Sequence, residues 1–570
     1  MPKGGGWFPR PADYGAAALR GDVVAGITVT FVLVPQAMAY ALLAGVPPVY
    51  GLYAGLVPLL LYTLLSSTPH IAVGPTALAS LLTLNGLTSR AEAGSADFIL
   101  LAIQLAVLTG ALQLLFGLLR MGGLVSLLSR PVLSGFVSAA AVLIVASQLR
   151  SLFGLDMPRT GYLHETVYQF FRHLDGLHWP TVGMGFGSLA VLVAGKRFFP
   201  RLPYLLVWIL CATLLTYLLR LDRTGIEVVG EVPAGLPPLS PGVWGAGDWL
   251  ALLPVAAVLA LISFVETLSI GNTFATRHGY YRVRPNRELI ALGVSKLVGG
   301  FFSAIPTSAS FGRSAVLEES GARSGLANVV SFVLLLLVLL FLTPLFYYLP
   351  VAMLAAVIVF SVGKLFDLAE MRRLYRLAPR ELAVLLVTFL FTLFAGLQYG
   401  IAGGVVLSLA FMFLRAARPH LAELGRIEGT NAFRNVNRFA AAQVDPKLLV
   451  LRFDAELYFG NAEYFSDRLM EIVEERAHPP EAVILDAHTI NDLDTTGLYA
   501  LEQLYTKLRQ RRIDLYLTGM IGPVRDFLYR SGLMQEMGVE SHFLSIQDAI
   551  RYHYHRDEGR DWDRPAVQHD

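Results

Sequence analysis

The sequence predicts an α-helical membrane protein that crosses the bilayer many times and ends in a small α/β domain. Of its 570 residues, 55% are hydrophobic and 15% are charged, whereas ordinary globular domains carry about 25% charged residues. No Asp, Glu, Lys or Arg occurs from Val23 to Ser89. The sequence after residue 443, in contrast, has the composition of a soluble domain. Two regions with different solvents are therefore joined in one chain.

The apolar region divides into fourteen candidate transmembrane helices. A helix that crosses a bilayer needs about 20 mostly apolar residues, and several candidates are shorter than that. The candidates are Asp22–Ala41, Gly51–Leu65, Gly74–Leu87, Phe98–Leu119, Val132–Ser147, Val182–Ala194, Pro203–Leu219, Trp249–Asn272, Leu289–Phe302, Thr307–Leu317, Leu326–Leu345, Ala352–Val362, Leu382–Leu397 and Ile401–Leu414.

The basic residues of the connecting loops support an even number of crossings. With the N-terminus inside, the cytoplasmic loops hold seventeen Lys and Arg residues and the outer loops hold six. Basic residues are retained on the cytoplasmic side of membranes. We therefore expect both termini in the cytoplasm and the protein in the plasma membrane, which would be the inner membrane in a bacterium.

The polar C-terminal region alternates strand-like and helix-like segments. Three apolar stretches, 448–453, 482–487 and 513–519, are predicted strands, and helical patterns cover 462–476, 496–511 and 522–531. This alternation is typical of a small α/β domain. The predicted organisation is a cytoplasmic N-terminus (1–20), a transmembrane domain (21–418), a linker (419–443), the α/β domain (444–555) and a disordered tail (556–570).

Two short segments in the two halves of the membrane region resemble each other. The first begins Val73-Gly-Pro-Thr-Ala and the second begins Ala304-Ile-Pro-Thr-Ser, so Pro75 and Pro306 occupy corresponding places. Paired, proline-interrupted segments indicate a site at the bilayer midplane in transporters with inverted repeats. Helices that begin inside the membrane present N–H groups and positive dipole ends, which favour an anion. Alternatively, both segments are kinks that allow close helix packing.

Ionisable residues inside the membrane are costly and therefore mark functional positions. Glu266 stands alone among apolar neighbours, and a carboxyl group shielded from water holds a proton more readily. Arg313 lies near the second proline segment, where its guanidinium is expected to pair with an oxyanion. The alternatives are a structural hydrogen bond for Glu266, and contact with the cytoplasm or with Glu266 for Arg313. Lys296 is interpreted as a residue at a helix end.

Several linked motifs resemble the sulfate permease (SulP) family, whose animal members include prestin. They are Asp22-Val-Val-Ala-Gly-Ile-Thr-Val with Pro35-Gln-Ala-Met-Ala-Tyr, Pro48-Val-Tyr-Gly-Leu-Tyr-Ala-Gly, Ser129-Arg-Pro-Val-Leu-Ser-Gly-Phe, Asn286-Arg-Glu-Leu-Ile-Ala-Leu-Gly and Ser310-Phe-Gly-Arg-Ser-Ala-Val. The resemblance implies two inverted repeats of seven helices, divided into a core and a gate domain. It also implies an elevator-like movement of the core.

The resemblance also implies the residues that bind the anion and couple its transport. The anion-binding residues would be Gln36, Tyr40, Thr76, Phe311, Gly312 and Arg313. Glu266 matches the acidic residue tied to cation or proton coupling. The chain departs from the family at Gly312, where serine is usual, and at Lys296, where asparagine is common.

The C-terminal domain resembles the STAS domain that ends most family members. Its Leu493-Asp-Thr-Thr-Gly-Leu stretch matches a loop that is phosphorylated in related anti-sigma-factor antagonists, which makes Thr496 a candidate phosphorylation site. The simpler interpretation is that threonine there caps a helix. Family members tend to form dimers, so a homodimer is expected.

The predicted function is secondary transport of a small anion, with sulfate taken up together with protons as the leading hypothesis. Ile270 lies one turn after Glu266 and offers no oxygen to sodium. Sodium-coupled bicarbonate uptake remains an alternative, as does transport of nitrate, chloride or a dicarboxylate. A non-transporting anion sensor that signals through the C-terminal domain is an alternative of another class. We expect no enzyme activity, cofactor, metal site or nucleic-acid partner, and the single Cys211 excludes an intrachain disulfide.

Overall fold

The structure is a computed structural model and describes residues 14–123, 129–158, 160, 162–199, 204–240, 245, 249–363 and 365–556. The predicted disordered tail beyond Arg556 and the first thirteen residues lie outside this range. The described chain forms two compact units that divide after Ser408.

The first unit is helical apart from two strands of two residues each. Its elements are α1 (Ala16–Ala44), α2 (Pro48–Leu65), β1 (Val73–Gly74), α3 (Ala77–Leu87), α4 (Ala96–Leu118), α5 (Arg130–Ser147), α6 (Leu149–Phe153), α7 (Leu163–Arg172), α8 (Trp179–Phe198), α9 (Tyr204–Leu218), α10 (Trp249–His278), α11 (Pro285–Phe301), β2 (Ser308–Ala309), α12 (Phe311–Glu319), α13 (Leu326–Leu337), α14 (Val351–Val362), α15 (Leu368–Leu377), α16 (Pro379–Phe394) and α17 (Leu397–Ala417), which continues into the second unit.

Each of the fourteen predicted segments overlaps one of these helices, so the predicted helical fold class is confirmed. Seven of the described helical stretches are at least 18 residues long and apolar enough to cross a bilayer. Proline is the first or second residue of several helices, including α2, α8 and α16, because its missing N–H is unneeded in the first turn. Three further helices, α6, α7 and α15, lie in stretches that the sequence analysis treated as connections.

The helices of the first unit pack into two groups. The first helix group consists of α1–α4 and α10–α13, and the second helix group consists of α5–α9 and α14–α16. The short helix α3 is buried on almost every side. This burial agrees with its eleven mostly apolar and small residues, since a helix that is apolar all round is a buried one. The two groups meet where α1 packs on α14 and α3 packs on α5.

The second unit contains a mixed sheet of seven strands. Strands β6 (Leu448–Phe453), β7 (Ala482–Asp486), β8 (Asp514–Thr518) and β9 (His542–Phe543) are parallel, as expected for strands connected through helices. The helices are α18 (Ala462–Glu475), α19 (Thr495–Gln510), α20 (Gly522–Ser531), α21 (Leu533–Met537) and α22 (Ile546–His555). The three predicted strands and three predicted helices of this domain are confirmed.

The predicted linker is wrong in its structure. Its residues form β3 (Leu421–Ile427), β4 (Phe433–Asn435) and β5 (Ala442–Gln443). Strand β3 pairs antiparallel with β4, β5 and β6, and Arg426 of β3 has β4 on one side and β5 on the other. Polar residues alternate with apolar ones along β3, so only one of its faces is buried. This alternation is a weaker strand signal than the continuous apolar runs of the central strands, which is why the sequence pattern predicts an irregular segment here.

The close contact of α1 and α2 generates a test of the fold. A Cβ atom added to Gly51 of α2 would lie 1.9 Å from the carbonyl oxygen of Ala37 in α1. Because backbone atoms would have to move, we expect Gly51→Ala to lower the free energy of unfolding by about 1–3 kcal/mol or more. The measurement is the thermal unfolding midpoint of the purified protein in detergent.

Gly183→Ala is the matched control, because nothing lies within 4 Å of a Cβ added to Gly183 in α8. It should leave the midpoint unchanged or raise it slightly, since alanine favours helices over glycine. Equal midpoints for the two variants would contradict the packing described for α1 and α2.

Candidate functional site

The two proline-containing segments meet inside the first helix group. Strand β1 pairs antiparallel with β2, so that Val73 lies opposite Ala309 and Gly74 lies opposite Ser308. The Ser310 N–H group extends this ladder by donating to the carbonyl oxygen of Ala72. The expectation that the two stretches meet is therefore confirmed. The antiparallel pairing also agrees with halves that run in opposite directions.

Each strand leads directly into the N-terminus of a short helix. Thr76 precedes α3 and accepts a hydrogen bond from the Ala79 N–H group at 3.4 Å. Ser310 precedes α12 and accepts one from the Arg313 N–H group, also at 3.4 Å. These two hydroxyls fix where the helices begin. The positive ends of both helix dipoles consequently lie at the two-stranded sheet.

Arg313 places a full positive charge at the same point. Its side chain is completely buried, and its Nε, Nη1 and Nη2 atoms have no hydrogen-bond partner among the described residues. A Cβ atom on Gly74 would lie 3.2 Å from Nη2, so glycine in β1 leaves room for the guanidinium. A buried and unpaired cation is unfavourable by several kcal/mol. An anion is the partner that removes this cost.

Of the other predicted binding residues, three are buried and two are exposed. Tyr40 interacts electrostatically with Arg313. Gln36 lies one turn earlier on the same face of α1 and is 8% exposed. Thr76 is also 8% exposed. Phe311 is 54% exposed and stacks on Phe274 of α10, with ring centroids 6.1 Å apart.

Gly312 is exposed as well, and nothing lies within 4 Å of a Cβ atom built on it. Its backbone N–H group belongs to the first turn of α12, where such groups have no acceptor within the helix. The structure therefore brings Tyr40, Thr76 and Arg313 to the buried side of the paired helix ends and leaves Phe311 and Gly312 on the open side.

Glu266 is attached to this arrangement through β2. It lies half-buried in α10, and the Ser308 hydroxyl donates a hydrogen bond to its Oε2 atom at 2.5 Å. Ser308 is the residue of β2 that pairs with Gly74. Glu266 is thus hydrogen-bonded to β2, and β2 pairs with β1, the strand that lies beside Arg313. Ile270, one turn later, is buried and apolar.

The interpretation of Lys296 as a residue at a helix end is wrong. Lys296 lies inside α11 and is 1% exposed. Its Nζ atom donates to Oε1 of Gln113 in α4 at 2.8 Å, and the side chain interacts electrostatically with Glu266. The apolar and small neighbours of Lys296 in sequence made α11 look like an ordinary span, but α4 supplies the polar partner that a buried ammonium requires.

Sequence reasoning missed several polar residues near the sheet. Ser308 was read only as part of a motif, although it binds Glu266. The hydroxyls of Ser80 and Thr307 are buried without a partner among the described residues, and Gln113 was not singled out. Gln113 carried a usable signal, since a lone amide inside an apolar span is itself costly. Serine and threonine carried none, because small hydroxyl residues are also common at helix contacts.

A cavity of about 80 Å³ lies between the two helix groups. Leu43 of α1, Leu84 of α3 and Leu354 of α14 contribute to its walls, together with the polar Gln148 and Glu227. Arg313 does not line it. The cavity instead marks incomplete packing between the groups on the C-terminal sides of α1 and α3.

In the second unit, the helix cap differs from the expected one. Asp494, not a threonine, precedes α19 and accepts a hydrogen bond from the Gly497 N–H group at 2.7 Å. Its other carboxylate oxygen accepts from the Phe459 N–H group. Thr495 and Thr496 are exposed in the first turn of the helix. Capping by threonine is therefore wrong, and phosphorylation of Thr496 stays a prediction.

Comparisons with known proteins agree with this architecture. Residues 19–388 match the model of the sulfate permease family and residues 439–549 match that of the STAS domain. A probable sulfate transporter of Mycobacterium tuberculosis is 35% identical over 96% of this chain and 98% of its own length. A chloroplastic sulfate transporter of Arabidopsis thaliana is 35% identical over 93% of this chain and 79% of its own length. The inward-facing structure of a murine anion transporter, solute carrier 26 family member A9, has a TM-score of 0.87 at 25% identity, covering 95% of this chain and 92% of that one.

The unpaired guanidinium predicts an unusual response to substitution. Arg313→Met removes a buried charge and keeps an apolar side chain of similar length. We therefore expect it to leave the thermal unfolding midpoint in anion-poor buffer unchanged or higher. Added sulfate at 100 times its dissociation constant should stabilise the wild-type protein by about 2.7 kcal/mol and should not stabilise the variant.

Arg20→Met serves as the control, because Arg20 is an exposed residue of α1; this variant should respond to sulfate as the wild-type protein does. Unfolding midpoints are measured in detergent across a sulfate titration. Sulfate stabilisation that survives in Arg313→Met would exclude Arg313 as a ligand of the anion.

Proposed function

This chain belongs to the sulfate permease family of anion transporters, and we propose that it takes up sulfate together with protons. We propose further that the movement follows an alternating-access mechanism of the elevator type. The observation that carries the proposal is the completely buried Arg313 guanidinium, unpaired among the described residues, beside the N-termini of two short helices.

The donor geometry at this point fits a tetrahedral oxyanion. A guanidinium presents planar, paired N–H groups that match two oxygens of such an anion. The first-turn N–H groups of α3 and α12 provide further donors from two opposite directions. The hydroxyl of Thr76 uses its oxygen to cap α3 and keeps its hydrogen for a ligand. Together with Gln36, Tyr40 and the backbone at Phe311 and Gly312, these groups form the proposed substrate site.

The choice of sulfate rests on the named relatives and on charge. Two proteins that are 35% identical over more than nine-tenths of this chain are named as sulfate transporters. A divalent anion also gains more than a monovalent one from a buried guanidinium and two dipole ends. Bicarbonate, nitrate and chloride are the anions against which sulfate has to be tested.

Glu266 is the proposed proton carrier. An ionised carboxylate bound to Ser308 would repel an anion held one strand away at Arg313. Protonation removes this repulsion, so binding of the proton and binding of the anion favour each other. The neighbouring Ile270 offers no oxygen to a sodium ion. These features favour a proton over sodium as the coupling ion.

The packing of the helices supports the elevator mechanism. Every proposed ligand belongs to α1, to the β1–α3 segment or to the β2–α12 segment, and Glu266 belongs to α10, so all of them lie in the first helix group. The first helix group can therefore move as one body relative to the second helix group and take the whole site with it. The cavity between the groups provides part of the space that such a movement needs.

The orientation and assembly are also proposals. The distribution of basic residues between the loops supports cytoplasmic termini in the plasma membrane. A homodimer is proposed from the family resemblance. Phosphorylation of Thr496 would place a charged group in the first turn of α19, where the helix dipole favours it.

Uptake of radiolabelled sulfate into proteoliposomes tests the proposed function. An inwardly directed proton gradient should accelerate uptake by the wild-type protein, and replacing sodium with potassium should not change it. Glu266→Gln mimics the protonated carboxyl group, so we expect this variant to bind sulfate but to lose acceleration by the gradient.

Glu319→Gln is the matched control, because Glu319 is an exposed carboxylate at the end of α12. It should respond to the proton gradient as the wild-type protein does. Uptake that requires sodium and ignores the pH gradient would overturn proton coupling. Sulfate binding without any uptake would instead support a sensor.

Gly312 generates a second test of the same site. A serine side chain at this position meets open space and adds a hydroxyl donor to the first turn of α12. We expect Gly312→Ser to tighten sulfate binding by about 2- to 10-fold, the effect of one hydrogen bond of about 0.5–1.5 kcal/mol. The measurement is the KM for sulfate uptake.

Gly312→Ala separates the hydroxyl from the added carbon atom. It should leave the KM near the wild-type value while altering the backbone to the same extent as serine. If alanine and serine change the KM equally, residue 312 does not donate to the anion.

A further inference from the structure

Lys296 is a fully buried ammonium group that the proposed mechanism does not yet use. It lies in α11, which packs tightly on α4. A Cβ atom on Gly110 of α4 would lie 2.9 Å from the Cβ atom of Lys296, so glycine allows α4 to approach this residue. The Lys296 Nζ atom donates to Gln113 Oε1 at 2.8 Å and to Ser263 Oγ at 3.4 Å.

The groups around Nζ are oriented as acceptors. The Gln113 Nε2 atom donates to the carbonyl oxygen of Ala260 at 2.9 Å and to Ser263 Oγ at 2.7 Å, which leaves Oε1 for Lys296. The Ser263 hydroxyl donates its own hydrogen to the Leu259 carbonyl oxygen at 2.7 Å. An ammonium group has donors only, and this environment accepts from it without offering a competing donor. The surroundings therefore offer two acceptors to the charged form and no donor that opposes it.

Lys296 also lies close to the proposed coupling residue. Ser263 precedes Glu266 by three residues, so both lie on one face of α10. Lys296 and Glu266 interact electrostatically, while the hydrogen bond of Glu266 goes to Ser308. The ammonium group is thus a fixed positive charge near Glu266, held by α4 and α10 in addition to its own helix.

A count of the buried charges near the site shows what Lys296 changes. Arg313 and Lys296 contribute two positive charges, and an ionised Glu266 offsets one of them. With Glu266 protonated, the site carries two positive charges and matches a divalent anion. Without Lys296, the same protonated site would carry one positive charge and match a monovalent anion. Glu288, near the start of α11, is tied to Tyr62 and Ser67 instead and is left out of this count.

We infer that Lys296 sets the valence of the anion that is transported with a proton: with Glu266 protonated, its fixed charge makes the site neutral only when the site holds a divalent anion. This inference rests on the proposed function. It follows from the cost of an uncompensated charge inside a low-dielectric protein that has to move through a membrane. Lys296 acts through the field at the site and not by touching the anion.

The test compares the affinities for a divalent and a monovalent oxyanion of similar size. Unlabelled sulfate and nitrate are titrated as stabilising ligands in thermal unfolding of the full-length protein, and as competitors of sulfate uptake in proteoliposomes. In Lys296→Met we expect the ratio of sulfate affinity to nitrate affinity to fall by roughly tenfold, since sulfate carries one more negative charge for the ammonium group to stabilise. Lys296→Arg keeps the charge and should retain the wild-type ratio.

Gln113→Met is the structural control. It removes the main hydrogen-bond partner of Lys296 but leaves the ammonium group in place, so it should lower the unfolding midpoint with little change in the affinity ratio. A ratio in Lys296→Met equal to that of the wild-type protein, together with a lowered midpoint, would show that Lys296 only holds α4, α10 and α11 together and would overturn the inference.

The outcomes for the two proposals can be told apart. If the wild-type protein binds sulfate but transports none, the proposed function fails, whereas the affinity ratio from thermal unfolding still tests Lys296. If the wild-type protein transports sulfate and the Lys296→Met ratio is unchanged, the inference on Lys296 fails and the proposed function stands.

Discussion

The pairing of two strands of two residues each is the interaction on which the rest of the site depends. A membrane protein cannot leave backbone N–H and C=O groups unpaired in lipid, so non-helical backbone survives only where protein or a cavity satisfies it. Strands β1 and β2 satisfy each other. Because they do, α3 and α12 can begin within the first helix group, and their positive ends can lie in the interior of the protein.

The same pairing explains how a positive charge is held in the interior of the protein, where burying a charge is unfavourable. Gly74 leaves space beside β1 for the Arg313 guanidinium, and Ser308 of β2 fixes Glu266 by a hydrogen bond. Strand, cation and carboxyl group are therefore positioned together and cannot be moved independently. At the proposed site, a bound anion would offset the unfavourable energy of the buried guanidinium.

Features with a distinct local signal could be predicted from the sequence, and features that depend on distant partners could not. Pro75 and Pro306 revealed the paired segments because proline and small residues interrupt an otherwise apolar pattern. Strand β3 was missed because an edge strand with one buried face has a weak pattern. The surroundings of Lys296 could not be predicted because Gln113 lies 183 residues away in sequence. The cap of α19 is Asp494 and not a threonine, and only the hydrogen-bond geometry distinguishes these neighbouring residues.

The location of the charges within a single helix group has a consequence for transport. Arg313, Glu266 and Lys296 belong to α12, α10 and α11, which all pack in the first helix group. Any movement of that group relative to the second carries the three charges with it, so their sum, and not each charge alone, determines the electrostatic cost of the movement. Binding that neutralises the sum lowers this cost. In the proposed mechanism, coupling between the anion and the proton arises from electrostatics within this one helix group and needs no further conformational signal.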